Sequence, residues 1–258
     1  MPGTLYALAN QKGGVGKTTT AINLAACLAE AGARSLLVDL DPQANATSGL
    51  GERAGEKSTY DLLDGAPLAE VVRQTAYSNL DLVPSRPDLA GAVVELAQRD
   101  HGESYLAQSL GDARDTYEFV FLDCPPSLGP LTVNALAAAD QVLVPVQAEY
   151  YALEGLSQLA KSVELVRARL NPRLRITGVL LTMVDGRTKL SSEVADEVRR
   201  HFGDRVFRTT IPRSVRLAEA PSHGLPVIAY DRRSAGAEAY WRAANELVER
   251  RASMAVAA

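Results

Sequence analysis

The chain has 258 residues, 47% of them hydrophobic, which is enough for a sizeable core and ordinary for one α/β domain. No run approaches the roughly 18–20 apolar residues of a membrane span. The opening Met-Pro-Gly-Thr-Leu-Tyr lacks the basic and apolar segments of a secretory leader, and Cys27 and Cys124, a lone pair in unrelated contexts, make no disulfide framework or metal site. A reducing cytoplasm is the expected compartment. The net charge of −4 argues against a nucleic-acid binder, yet 18 of the 27 basic residues and only 11 of the 31 acidic ones lie from Lys161 onward. Either solvated helix faces or a basic surface on the C-terminal half accounts for that asymmetry.

In chain order, residues 5–9, 36–38, 80–83, 119–122, 142–146, 176–183 and 206–211 read as buried strands. Helical patterns cover 18–31, 88–98, 131–138, 153–170, 191–202 and 235–251, with Gly32 and Gly203 where C-caps belong. The alternation predicts an α/β fold: one domain over residues 1–258, with a mostly parallel sheet and helices on both faces. Ligands in such sheets sit beyond the carboxyl ends of the strands, and each motif below directly follows a predicted strand.

After the first strand comes Asn10-Gln11-Lys12-Gly13-Gly14-Val15-Gly16-Lys17-Thr18-Thr19, then a helix. Glycines let the backbone wrap a phosphate with its N–H groups, and the helix N-terminus adds a positive dipole end. Lys17 can set a point charge on the β- and γ-phosphates, and the Thr18 hydroxyl can ligate Mg²⁺. Gly-Lys-Thr in a strand–loop–helix setting thus predicts a P-loop NTPase. Lys12 is a second cation in the loop and needs more negative charge than one lysine neutralises.

The second strand ends in Asp39-Leu40-Asp41-Pro42, where alternation places Asp39 and Asp41 on one face. Carboxylates there can hold Mg²⁺ through water, position an attacking water, or serve ordinary turn chemistry before the proline. The apolar run 119–122 ends in Asp123, the pattern of an acid facing a Mg²⁺ shell. Cys124 beside it reads as a small buried hydrophobe, not a nucleophile.

Lys-Gly-Gly-Val-Gly-Lys-Thr at 12–18 resembles the deviant Walker A motif of the ParA/MinD family of P-loop ATPases. Three further segments resemble its ParA/Soj branch: 144–155 (Val-Pro-Val-Gln-Ala-Glu-Tyr-Tyr-Ala-Leu-Glu-Gly), 182–188 (Thr-Met-Val-Asp-Gly-Arg-Thr) and 211–222 (Ile-Pro-Arg-Ser-Val-Arg-Leu-Ala-Glu-Ala-Pro-Ser). The resemblance spans nearly the whole chain and is weakest over 53–115.

It implies ATP or ADP with Mg²⁺ as cofactors, cradled by Lys12, Gly13, Gly14, Val15, Gly16, Lys17, Thr18 and Thr19. It implies an adenine pocket at Thr182-Met183 and Ile211-Pro212, where Ser214 replaces the family's usual asparagine. Catalytic work falls by resemblance to Lys12, Lys17 and Asp41, with Thr18, Asp41 and Asp123 around the metal and Asp39 in support. Lys12 would cross the interface of an ATP-dependent homodimer. Non-specific double-stranded DNA would be held by Arg187 and Arg216, with Arg213, Arg232 and Arg233 as further candidates. Surface ion pairs to Asp185, Glu193 or Asp231 are the competing account of those arginines. A ParB-type centromere-binding protein would stimulate hydrolysis, and the protein would be cytoplasmic and nucleoid-associated.

The alternatives are weaker on the residues. The tail Glu249-Arg250-Arg251-Ala252-Ser253-Met254-Ala255-Val256-Ala257-Ala258 is too small and too weakly apolar for the amphipathic helix of the membrane-bound MinD branch, so no membrane partner is expected. Another superfamily ATPase acting on a protein cargo is the other alternative. Cys27 lies within the first helix, which disfavours an iron–sulfur reductase. The tail has no tyrosine cluster of the kind a polysaccharide-associated kinase carries. No separate substrate pocket is readable for a biosynthetic ligase.

Overall fold

The computed structural model describes residues 2–149 and 152–256; Tyr150 and Tyr151 of the 144–155 segment lie outside them. Strand β1 (Thr4–Leu8) leads into helix α1 (Lys17–Glu30), β2 (Ser35–Asp39) and α2 (Asn45–Gly49). Three short elements follow, α3 (Thr59–Leu63), α4 (Leu68–Val71) and β3 (Arg73–Gln74), then β4 (Leu80–Val83), α5 (Leu89–Gln98), α6 (Tyr105–Ser109) and α7 (Ala113–Thr116). The second half runs β5 (Phe119–Asp123), α8 (Pro130–Ala138), β6 (Gln141–Gln147), α9 (Ala152–Arg169), β7 (Arg175–Thr182) and α10 (Lys189–Phe202). It closes with α11 (Val215–Glu219), α12 (Val227–Tyr230) and α13 (Ala235–Val256).

The strands form one sheet in the order β3-β4-β2-β5-β1-β6-β7. Every pairing is parallel except the short β3 edge, which runs antiparallel to β4. Alternate residues of each strand feed two separate cores, because successive side chains point to opposite faces. Leu5, Ala7, Val120 and Leu122 join one with α5, α8 and α9. Tyr6, Leu8, Phe119 and Phe121 join the other with α1 and α13. Both faces are therefore covered, as the unbroken apolar strands require. Helix α1 ends where expected: Gly32 has φ +95°, Ala33 N donates to Leu28 O and Gly32 N to Ala29 O, a Schellman stop.

One predicted strand is absent. Residues 206–211 touch β7 only at its ends, through Phe207 N to Val179 O (2.9 Å) and Ile211 N to Leu181 O (2.8 Å). The amides between them turn away, because the buried Glu246 carboxylate of α13 accepts Arg208 N (2.8 Å) and Thr209 N (2.9 Å). A buried carboxylate acceptor outcompetes the ladder here, since charge-assisted hydrogen bonds are the stronger ones. Burial pushes the Glu246 carboxyl up, but those amides and the Arg250 guanidinium outweigh it and hold it below the usual carboxylate range.

Candidate nucleotide site

β1 lies between β5 and β6, and the loop leaving its carboxyl end is anchored on both sides. The Asn10 amide donates to Pro145 O at the β6 end (2.8 Å), and its oxygen accepts Lys12 N (3.0 Å). The Thr182 hydroxyl at the end of β7 donates to Val15 O (2.8 Å). Gly14 (φ +74°) and Gly16 (φ +85°) hold the left-handed backbone that lets the loop curl before α1 starts.

A cavity of about 640 Å³ opens over this loop. Gly13, Gly14, Gly16, Lys17, Thr18 and Thr19 form its floor, and Asp41, Gln43, Asn45 and Ser48 one wall. The opposite wall is apolar: Met183, Ile211, Pro212 and Leu217, with Arg213 and Ser214 at the same segment. The volume suits a small-molecule ligand, with cations and amides at one end and an apolar slot at the other. Met183 takes a left-handed backbone (φ +50°), a conformation that costs an L-residue about 1–2 kcal/mol.

The charges beneath the floor are unusual. Lys17 is buried, and its Nζ reaches Lys12 O at 3.2 Å. Burial pulls its pKa down, opposed by Asp123, Cys124 and Asp41. Asp123, at the end of β5, is fully buried, and among the described residues neither carboxylate oxygen makes a hydrogen bond of good geometry, although the Thr18 hydroxyl is near enough to stabilise its charge. Burial, and next the charge of Asp39 in register on β2, push its carboxyl well above the usual carboxylate range. A poorly partnered buried carboxylate beside Lys17 and Thr18 is a donor set that fits a hydrated Mg²⁺ carried by phosphates, since Mg²⁺ takes few protein ligands. Cys124 is buried and burial pushes its thiol up, so it is inert.

Asp39 and Asp41 do not share a face. β2 ends at Asp39, so alternation stops before Asp41. The Asp39 carboxylate is fully buried and accepts Thr47 N (2.8 Å), the Thr47 hydroxyl (2.7 Å) and Asp41 N (3.1 Å). Burial still raises it to about 6. Asp39 thus fixes the backbone from which Asp41 reaches the cavity.

Lys12 and Val15 are not part of the cavity lining. Val15 is buried and contributes only its carbonyl. The Lys12 side chain leaves the loop and pairs with Glu149 (2.7 Å). Sequence reading passed over Gln43, Asn45 and Ser48. The available signal is the set of polar residues Gln43, Asn45, Thr47 and Ser48, interleaved with alanines after Pro42.

The arginines divide. Arg213 lines the cavity. Arg187 is 88% exposed, and its Nε and Nη2 hold both oxygens of Asp185 (2.9 and 2.8 Å), which takes that carboxyl down to about 2. Arg216 pairs with Glu219 (2.9 Å) and Asp231 (3.2 Å), and Arg232 with Glu30. The Arg187 loop runs beside the cavity wall, held by Val184 N to Ile211 O (3.0 Å) and Arg213 N to Val184 O (3.1 Å). No helix among the described residues is long and apolar enough to cross a membrane.

Residues 3–176 match the AAA domain family AAA_31. The chain is 58% identical to the "Chromosome-partitioning ATPase Soj" of Thermus thermophilus, over 95% of each chain. It is 54% identical to the "Sporulation initiation inhibitor protein Soj" of Bacillus subtilis, over 95% of this chain and 98% of that one. Among solved structures, the cobyrinic acid a,c-diamide synthase of Mycobacterium smegmatis with bound ADP and magnesium superposes with a TM-score of 0.83 at 36% identity, over 95% and 94% of the two chains. With partitioning relatives matching at more than half of all positions and nearly full length, the chain belongs to the Soj/ParA family of chromosome-partitioning ATPases.

Proposed function

We propose that this chain is a chromosome-partitioning ATPase whose Mg·ATP-bound homodimer grips DNA of any sequence and lets go on hydrolysis. The observation that carries the reading is a continuity of chain. The segment that walls the cavity at Ile211–Ser214 runs straight on into Arg216 and is hydrogen-bonded to the loop of Arg187. Nucleotide and DNA contacts would then share one stretch of backbone.

In this reading the loop amides and Lys17 hold the β- and γ-phosphates, and the apolar slot at Met183 and Pro212 takes the adenine. Thr18 and Asp123 would hold the Mg²⁺, Asp123 through water. Magnesium supplies charge neutralisation on the phosphates. Asp41 orients the attacking water from the cavity wall. Lys12 reaches the phosphates of a second subunit and makes nucleotide the bond between them. Arg187 and Arg216 neutralise DNA phosphates without reading bases, so affinity is sequence-tolerant and salt-sensitive. Two subunits double the basic surface. A ParB-type partner accelerates hydrolysis. The synthase-like structure is the more distant match at 36% identity, which favours the partitioning role over a ligase.

The test is binding to a random-sequence duplex with ATP, ADP or no nucleotide, using Asp41→Ala to suppress hydrolysis, across a salt series. Binding that requires ATP and falls steeply with salt is expected. ATP-dependent dimers that ignore DNA at every salt concentration would move the cargo to a protein.

A further inference from the structure

Lys12 is the loop cation that turns away from the cavity. Its Nζ lies 2.7 Å from Glu149 Oε2, with each side chain 46% exposed. Both ends of this pair stand on anchored backbone. Lys12 N is held by Asn10, which also grips Pro145 of β6, and Lys12 O receives the Lys17 ammonium. Glu149 follows β6 by two residues; its N–H donates to Gln147 O (2.8 Å), and its carbonyl accepts Ala152 N (2.9 Å). The ion pair therefore adds an outer bridge between the phosphate loop and β6, parallel to the buried one that Asn10 makes.

We propose that Glu149 is an intramolecular latch on Lys12, competing with the partner subunit's nucleotide for the same ammonium and setting the concentration at which dimers form. The proposal rests on the reading above that Lys12 reaches across the interface. An ammonium is a compact charge on a flexible stem, so it can exchange one anion for another without moving the backbone. To enter a neighbour's phosphates it must leave Glu149. The carboxylate it leaves behind then faces a triphosphate of like charge. Both effects oppose assembly.

The contest is decided by charge. Glu149 offers a single negative charge, a triphosphate several, and a diphosphate fewer. ATP in the partner wins the lysine, and loss of the γ-phosphate lets Glu149 reclaim it. The latch thus favours release after turnover as well as restraint before it. A symmetric dimer breaks two such pairs. Exposed pairs change an equilibrium by about 1.4- to 5-fold each, so removing both tightens the dimer by about 2- to 30-fold.

The experiment is sedimentation velocity with magnesium and a non-hydrolysable ATP analogue on wild type, Glu149→Gln, Lys12→Ala and the double variant. Glutamine keeps the size and removes the charge. The expected result is a Glu149→Gln dimer that forms at about 2- to 30-fold lower protein concentration, with Lys12→Ala and the double variant both monomeric. A Glu149→Gln dimer no tighter than wild type, with Lys12→Ala monomeric, overturns the latch and leaves the cross-interface lysine standing. Tightening that persists in the double variant shows that Glu149 acts through another group and also overturns the latch. Lys12→Ala dimers as tight as wild type sink both readings.

Discussion

The arginine assignment can be tested one charge at a time, because Arg187 has a defined competitor. Its guanidinium is clamped by both oxygens of Asp185, whose Oδ1 also accepts Arg187 N (3.1 Å). Asp185→Asn keeps that amide acceptor and removes the charge. Lowering the pH cannot do the same, since the guanidinium holds this carboxyl at about 2. If Arg187 meets one phosphate per subunit, Arg187→Ala removes two contacts from a dimer. Each contact contributes about 0.9 to the slope of log affinity against log salt, so the slope falls by about 1.8. Between 50 and 200 mM salt that shrinks the wild-type loss of affinity by about 12-fold. Asp185→Asn frees two exposed pairs and tightens DNA binding by about 2- to 30-fold at low salt. Anisotropy of a labelled random duplex with a non-hydrolysable ATP analogue measures both. An unchanged slope in Arg187→Ala refutes the phosphate contact and leaves the Asp185 pair as a surface ion pair and nothing more. Asp185→Asn that tightens binding equally in the Arg187→Ala background refutes the competition.

Other sites give equally direct expectations. Lys17 is buried and its charge is disfavoured there. Lys17→Met should therefore keep or raise the melting temperature without nucleotide, while losing at least about 10-fold in ATP affinity, the worth of one charge-assisted hydrogen bond. Calorimetry and thermal melts read the two separately. Asp41→Ala should bind Mg·ATP with wild-type affinity and lose about 100-fold or more in phosphate release; a loss of ATP affinity would move Asp41 from the water to the metal. Glu246→Gln should cost about 1.5–3 kcal/mol in urea unfolding, because two part-buried amides and Arg250 lose their shared anion. Its folded pKa is depressed, so this stabilisation is fully present above the unfolded glutamate value of about 4.3 and is lost as pH falls through the lower folded value. The wild-type and Glu246→Gln stability curves should converge in acid.

The places where local sequence rules succeed and fail have a physical pattern. β4 begins and ends where its apolar run does, and α1 stops at the glycine that allows a left-handed turn. Those features depend on neighbours in the chain. The missing strand at 206–211 depends on Glu246, which lies in the last helix and is invisible from the run itself. The direction of Lys12 depends on Glu149, 137 residues away. Helix α3 in the weakly matching 53–115 segment did carry a local sign, the Ser58–Asp61 capping box, but five residues are too few to show a helical period.

Four further departures gather at one place, while left-handed Asn79 and His101 and the Tyr6 hydroxyl, unpaired among the described residues, lie away from it. Met183 walls the cavity with a left-handed backbone that its side chain disfavours. Ala44, between Gln43 and Asn45 of the cavity wall, also takes a left-handed backbone (φ +53°). Lys17 is a buried cation, and Asp123 is a buried carboxylate that makes no hydrogen bond of good geometry among the described residues. Each is a cost that the rest of the fold must offset, about 1–2 kcal/mol for each left-handed residue. A fold that keeps four such costs around a single 640 Å³ cavity is arranged for something that relieves them there. A polyanion carrying a divalent cation would relieve the two charged ones together, giving Lys17 its counter-charge and Asp123 its partner.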